Sequence, residues 1–169
     1  DVVGAQERRA NELEVELDAA ATAMIAQFQP KARDLRTVLM VLGITDDLER
    51  LGDHAVNIAE AGRWLLANAP AQSFSGVPRM AEAAVRMIDD AITAFIAGDA
   101  ALARRVCESD AAVDGLAESI LHETEAAMAG DPSSIEAGLR VLKIAGNLER
   151  IADHATNIGE DVIYMVDGR

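Results

Sequence analysis

The chain has 169 residues, of which half are hydrophobic and only 3% aromatic, with 29 acidic side chains against 15 Lys and Arg. The net charge of −14 excludes a strong attraction to nucleic acid or to an anionic membrane surface, and favours metal cations or basic protein surfaces as partners. Cys107 is the only cysteine, so no intrachain disulfide can form and a reducing, cytoplasmic location is expected. Because no run of about 18 apolar residues occurs, we expect no direct membrane insertion.

Breaks rich in Pro and Gly divide the chain into five predicted helices, and no segment alternates apolar and polar residues as a strand would. The predicted fold class is therefore all-α. Ser133 or Ser134 is the expected N-cap of the last helix, with Glu136 following in its first turn. The predicted helices are Gln6 to Gln29, Lys31 to Asn68, Arg79 to Ala97, Ala100 to Ala129 and Ser134 to Val166.

A thirteen-residue motif occurs twice, at Leu48 to Glu60 and Leu148 to Glu160, and nine of its positions are identical at a constant offset of 100. The repeat predicts two units of three helices, the first lacking its opening helix. The predicted boundaries are residues 1–69 for the first repeat (two helices), 70–78 for a linker and 79–169 for the second repeat (three helices). A two-helix hairpin cannot enclose a core, so the first repeat must pack on the second repeat, on another chain or on residues outside this sequence.

At 100° per residue, the motif places acidic and amide side chains on one narrow face of each helix. Like charges four residues apart destabilise a helix by roughly 0.2–0.5 kcal/mol, and a hard divalent or trivalent cation between two carboxylates would reverse that repulsion. The predicted metal ligands are Glu49 and Asp53 in the first repeat, and Glu149 and Asp153 with the Asp110 and Asp114 pair in the second. Further candidates, as ligands or supporting residues, are Glu7, Asn57, Glu60, Asn157 and Glu160.

The histidines and arginines of the motif lie beside this acidic face. We expect His54 and His154 to hydrogen-bond a neighbouring helix, with metal ligation as the alternative. Arg50 and Arg150 are expected to form ion pairs that orient nearby carboxylates.

Catalytic motifs are absent from the sequence: there is no Gly-rich phosphate loop, nucleophile elbow or paired Cys motif. The five-residue spacing from Glu49 to His54 also differs from the Glu-x-x-His of di-iron helical enzymes. We therefore predict a non-catalytic protein. The alternatives are a carboxylate-bridged metalloenzyme or metal-storage helical protein, and a purely structural domain with solvated acidic faces.

The doubled Leu-Glu-Arg-x-x-Asp-His-Ala-x-Asn-Ile motif closely resembles that of the PhoU family of phosphate-signalling regulators. Gln29-Pro30 followed by Asp34-Leu35-Arg36 is similar to the family's entry into its motif helix, and Gly98-Asp99 is similar to the link between its first two helices. The resemblance covers nearly the whole chain.

This resemblance implies tandem three-helix bundles, often assembled as a homodimer. It implies a cytoplasmic negative regulator that couples the ATPase subunit of a phosphate ABC transporter to a sensor histidine kinase. In metal-binding members, Glu/Asp-x-x-x-Asp motifs hold multinuclear clusters, for which iron is expected first and zinc, manganese or nickel are alternatives. Asn11 stands where an acidic residue is expected in the first repeat, so the second repeat is the stronger candidate metal site.

Overall fold

The computed structural model describes residues 2–69 and 76–168, and these residues form α-helices and one 3-10 turn without any strand. The all-α prediction is confirmed. The elements are α1 (Val2–Phe28), α2 (Arg33–Asn68), α3 (Gly76–Ala97), α4 (Ala100–Gly130), a 3-10 turn (Pro132–Ser134) and α5 (Ile135–Asp167).

The helix ends differ from the predicted ones where local turns decide them. α2 begins at Arg33 rather than Lys31, after Gln29 and Ala32 adopt positive φ angles of 46° and 49° around Pro30. α3 begins at Gly76, three residues before the predicted start, with Pro78 in its first turn, where the missing N–H is not needed. The other residues of the predicted linker, 70–75, lie outside the described part of the chain.

The last helix has Ser134 at its N-cap position, as predicted, but without the hydrogen bond that a capping side chain usually makes. Ser134 makes no side-chain cap to α5, and its hydroxyl instead donates to the Asp131 carbonyl at 2.7 Å. The Asp131 carboxylate accepts the Ser133 N–H at 2.9 Å and so caps the 3-10 turn that leads into α5. Asp99 caps α4 in the usual way, by accepting the Ala101 and Leu102 N–H groups.

α5 is the central helix, because it packs against α2, α3 and α4, whereas α1 contacts only α2 among the described elements. Its buried face is rich in small residues, and Ala152, Ala155 and Gly159 let neighbouring helices approach closely. A Cβ added at Gly159 would lie 3.1 Å from both the Ala103 carbonyl and the Cys107 sulfur of α4. The first repeat therefore depends on the second through the contact of α2 with α5.

Pseudo-twofold symmetry relates the two motif helices, α2 and α5, which run antiparallel. Trp64 of α2 lies under the Arg140 guanidinium of α5 at 5.2 Å from the ring centroid, and Tyr164 of α5 lies under Arg36 of α2 at 6.0 Å. A cation–π contact thus holds each end of the helix pair. At its centre the rings of His54 and His154 are 5.5 Å apart.

Candidate functional site

Among the predicted acidic ligands of the second repeat, Asp110 lies near Asp114 and Asp153, while Glu149 lines a surface groove together with Asp114. Asp110 and Asp114 lie on α4, one turn apart, and Asp153 lies on α5. Burial raises the pKa of the Asp110 carboxyl, and the charges of Asp114 and Asp153 raise it further. Its Oδ1 atom is buried without a hydrogen-bond partner among the described residues. A buried, unpartnered carboxylate oxygen beside two other carboxylates is suited to a bound cation.

The first repeat has a weaker version of this arrangement between α1 and α2. Asn11 donates its Nδ2 hydrogen to Glu7 Oε1 at 2.8 Å, so an amide satisfies part of the carboxylate that a cation would otherwise use. Burial raises the pKa of Glu49, and the negative charges of Asp53 and Glu14 add to the effect. Glu14 was not among the predicted site residues.

The remaining predicted site residues have partners of their own or face solvent. Arg50 pairs with Asp46 at 3.2 Å on the exposed side of α2, as an ion-pairing role predicts. Asn57 donates to the Asp53 main-chain carbonyl at 3.1 Å, while Glu60 and Glu160 are exposed. Arg150 lines a polar surface pocket of α5 together with Asp153, His154, Thr156 and Asn157.

No three His, Cys, Asp or Glu side chains of residues 2–69 and 76–168 are already gathered as the ligands of one ion. The carboxylates between α4 and α5 have the donor chemistry for a hard cation.

Both motif histidines hydrogen-bond the opposite motif helix, as expected. His54 Nδ1 donates to Asn147 Oδ1 at 2.9 Å, and His154 Nδ1 donates to Asp47 Oδ1 at 2.7 Å. Because Asp47 and Asn147 are themselves 100 residues apart, the two bonds are equivalent under the pseudo-twofold symmetry. One bond ends on a neutral amide and the other on a nearly buried carboxylate, whose side chain is 12% exposed.

A second acid, Asp161, lies near Asp47 where α2 packs against α5. Asn157 Nδ2 donates to Asp47 Oδ1 at 3.4 Å. A Cβ added at Gly43 would lie 3.0 Å from Asp161 Oδ2, so the glycine leaves space for this carboxylate. Burial raises the pKa of Asp161, and the charges of Asp47 and Glu160 raise it further.

Sequence reasoning missed Asp47, Asn147 and Asp161. The signal was present for two of them, since Asp47 and Asn147 each precede a motif histidine by seven residues. Asp161 has no such signal, because its counterpart in the first repeat is Ala61.

Asp161→Asn should stabilise the protein at neutral pH. Because the pKa of Asp161 is raised in the folded state, its ionised carboxylate destabilises the fold. This destabilisation is complete at pH values above the folded-state pKa and absent at pH values below the unfolded-state pKa of about 3.9. We expect a higher melting temperature than the parent at about pH 7.5 and a difference that shrinks towards about pH 4. The exposed neighbour Glu160→Gln is the control and should show a smaller effect. A variant less stable than the parent at both pH values would contradict this.

No helix in the described ranges is both long and apolar enough to cross a bilayer.

Comparison with known proteins places these features in a family. The PhoU domain model matches residues 1–62 and 77–162. The chain is 36% identical over 163 residues to a phosphate-specific transport system accessory protein PhoU homolog of Deinococcus radiodurans, covering 96% of this chain and 76% of that one. It is 37% identical over 156 residues to the corresponding homolog of Aquifex aeolicus, with 92% and 71% covered.

Two solved structures are similar over nearly the whole chain. The crystal structure of PhoU from Pseudomonas aeruginosa matches with a TM-score of 0.94 at 33% identity, covering 99% of this chain and 80% of that chain. The structure of the phosphate transport system regulatory protein PhoU from Streptococcus pneumoniae matches with a TM-score of 0.90 at 27% identity, with 99% and 79% covered. The family model, the relatives and the folds agree, and the chain belongs to the PhoU family.

Proposed function

We propose that this chain is a non-catalytic cytoplasmic regulator of phosphate homeostasis, which represses the phosphate-starvation two-component response and restrains high-affinity phosphate uptake. The observation that carries the proposal is the family match over both repeats, to relatives named accessory proteins of a phosphate-specific transport system. Its exposed acidic surfaces and net charge of −14 favour basic protein surfaces over nucleic acid. The partners in this proposal are the transporter ATPase subunit and the sensor histidine kinase of the phosphate regulon.

Affinity capture from phosphate-replete cells tests the proposed partners. The tagged protein should recover the ATPase subunit of the phosphate transporter or the sensor kinase, both identified by mass spectrometry. The matched control is an unrelated tagged protein of similar size and net charge, because a charge of −14 alone can retain basic proteins. Recovery of neither partner, or equal recovery with the control, would argue against the adaptor role.

Metal binding is the second part of the proposal, and the second repeat is its preferred site. Asp110, Asp114, Glu149 and Asp153 would hold the ion, and the unpartnered Oδ1 atom of Asp110 supports this choice. A bound cation would cancel the repulsion between these carboxylates and link α4 to α5. Iron is the first candidate, with manganese, zinc and nickel as alternatives.

A metalloenzyme or a metal store on the same residues remains the alternative function, and oxidase turnover that disappears in Glu149→Ala would favour it.

Asp153→Asn separates the effect of charge from that of metal. In chelator-treated protein we expect a slightly higher melting temperature than the parent, because one repelling carboxylate is removed. On adding Fe²⁺, Mn²⁺ or Zn²⁺, the parent should gain stability, by roughly 2.7 kcal/mol at a hundredfold excess over the dissociation constant. Most of that gain should be lost in Asp153→Asn, and less of it in the matched first-repeat variant Asp53→Asn. No metal-induced shift in the parent, or the same shift in all three proteins, would contradict the metal site.

A further inference from the structure

A groove of about 340 Å³ runs between α4 and α5 and has an apolar floor. The floor consists of Ala117 and Leu121 from α4 and of Leu142, Ala145 and Gly146 from α5. The residues that line it come from α4 and α5 and none from α3, and two of them, Ala117 and Ala145, also pack in the core cluster beneath the groove. Leu121 at its edge is 39% exposed.

The apolar surface continues along α5 beyond the groove. Ile135 and Leu139 are 44% and 56% exposed, and they precede Leu142 by seven and three residues. This spacing places all three side chains on one face of α5. Gly146 extends the same face, and a Cβ at that position would meet nothing within 4 Å. An apolar strip of this length with an open position is the kind of surface that receives a helix.

The rim of the groove is acidic. Asp114 and Glu118 of α4 and Glu149 of α5 line it, and all three are exposed. His122, the titratable neighbour of Glu118, lies 3.8 Å from that carboxylate. Negative rims on both sides of an apolar floor complement a ligand with an apolar face bordered by Lys or Arg. A neutral or acidic helix would leave these charges without partners.

We propose that the α4–α5 groove binds a basic amphipathic helix of a partner protein. Its apolar side chains, spaced by three or four residues, occupy the floor along Leu121, Leu142 and Gly146, and its cationic side chains pair with Asp114, Glu118 and Glu149. The groove shares Asp114 and Glu149 with the proposed metal site, so an ion bound there and the helix compete for the same carboxylates. The proposal concerns the chemistry of the bound segment and does not depend on which protein supplies it.

The test uses a fluorescent synthetic 18-residue peptide of Leu and Lys, with Leu at positions that form one helical face. Binding to the full chain, freed of metal by a chelator, is measured by anisotropy at fixed ionic strength. A peptide of identical composition with its Leu residues scattered reports on non-specific attraction to the charge of −14. We expect the amphipathic peptide to bind at least about tenfold more tightly than the scattered one.

Gly146→Leu fills the groove and should weaken peptide binding by at least about tenfold. Replacing a helix-interior glycine in open space raises helix propensity, so lost binding would not reflect lost folding. The matched control is Gly115→Leu on α4. Gly115 is also open within 4 Å of its Cβ but lies outside the groove lining, so this variant should leave the affinity unchanged. Glu118→Lys should weaken binding as well.

Two results would overturn the proposal. One is equal affinity for the amphipathic and scattered peptides. The other is equal affinity of the parent and Gly146→Leu for the amphipathic peptide. A change in the sedimenting mass of the free protein on Gly146→Leu would show that a second copy of the chain occupies the groove, and it would also overturn the proposal. None of these results bears on the capture of transporter or kinase, so failure here is distinguishable from failure of the proposed function.

Discussion

Ile158→Ala should lower the free energy of unfolding by about 2–5 kcal/mol, the usual cost of removing a large aliphatic side chain from a packed core. Ile158 is fully buried on α5 and belongs to the larger core cluster, which joins residues of α2, α3, α4 and α5. Deletion of three of its carbon atoms leaves a cavity that the surrounding helices cannot fill without moving. Urea denaturation followed by circular dichroism measures the loss.

Ile58→Ala is the matched control, since Ile58 occupies the equivalent position of the first motif. Ile58 is only partly buried and packs at the margin of the same cluster. The same substitution should therefore cost clearly less there. Equal losses at the two positions, or a greater loss at Ile58, would contradict the assignment of α5 as the central helix.

Asp47→Ala is expected to cost about 1–3 kcal/mol, because it leaves the nearly buried His154 ring without its acceptor. The bond from His154 to Asp47 is 2.7 Å long, and both side chains are largely excluded from water, at 15% and 12% exposure. The variant also removes the contact between Asn157 and Asp47. Thermal and urea denaturation of parent and variant measure the loss.

Asp47→Asn provides the control that the chain itself suggests. An amide already accepts the bond from His54 at the equivalent position, Asn147, so Asp47→Asn should retain most of the stability that Asp47→Ala loses. It also removes one of the charges that raise the pKa of Asp161. If Asp47→Asn were as destabilising as Asp47→Ala, the bond from His154 would depend on the carboxylate charge. The two histidine hydrogen bonds would then not be equivalent.

Patterns within single helices were sufficient to predict the fold class, the doubled motif and the acidic faces. The i,i+4 spacing of Asp110 with Asp114 determines that they share a face, and the structure places Asp153 of α5 near Asp110. These features are local, because helical periodicity depends only on residues within a few turns.

Contacts between distant parts of the chain could not be predicted in the same way. Asp47 and His154 are 107 residues apart, and their pairing requires the antiparallel packing of α2 on α5. The difference in burial between Ile58 and Ile158 likewise depends on α3 and α4, which surround only the second motif helix. The missing side-chain cap at Ser134 also depends on the preceding turn, because the Ser134 hydroxyl donates to the Asp131 carbonyl within the 3-10 turn.

Expression of phosphate-starvation genes in a strain lacking this protein tests the proposed regulatory role most directly. In phosphate-replete medium we expect a reporter of those genes to be strongly active in the deletion strain and to be repressed again when the complete gene is restored. A second strain that also lacks the sensor kinase should stay repressed, because the signal passes through that kinase in the proposed mechanism. Normal repression in the first deletion strain would contradict the account.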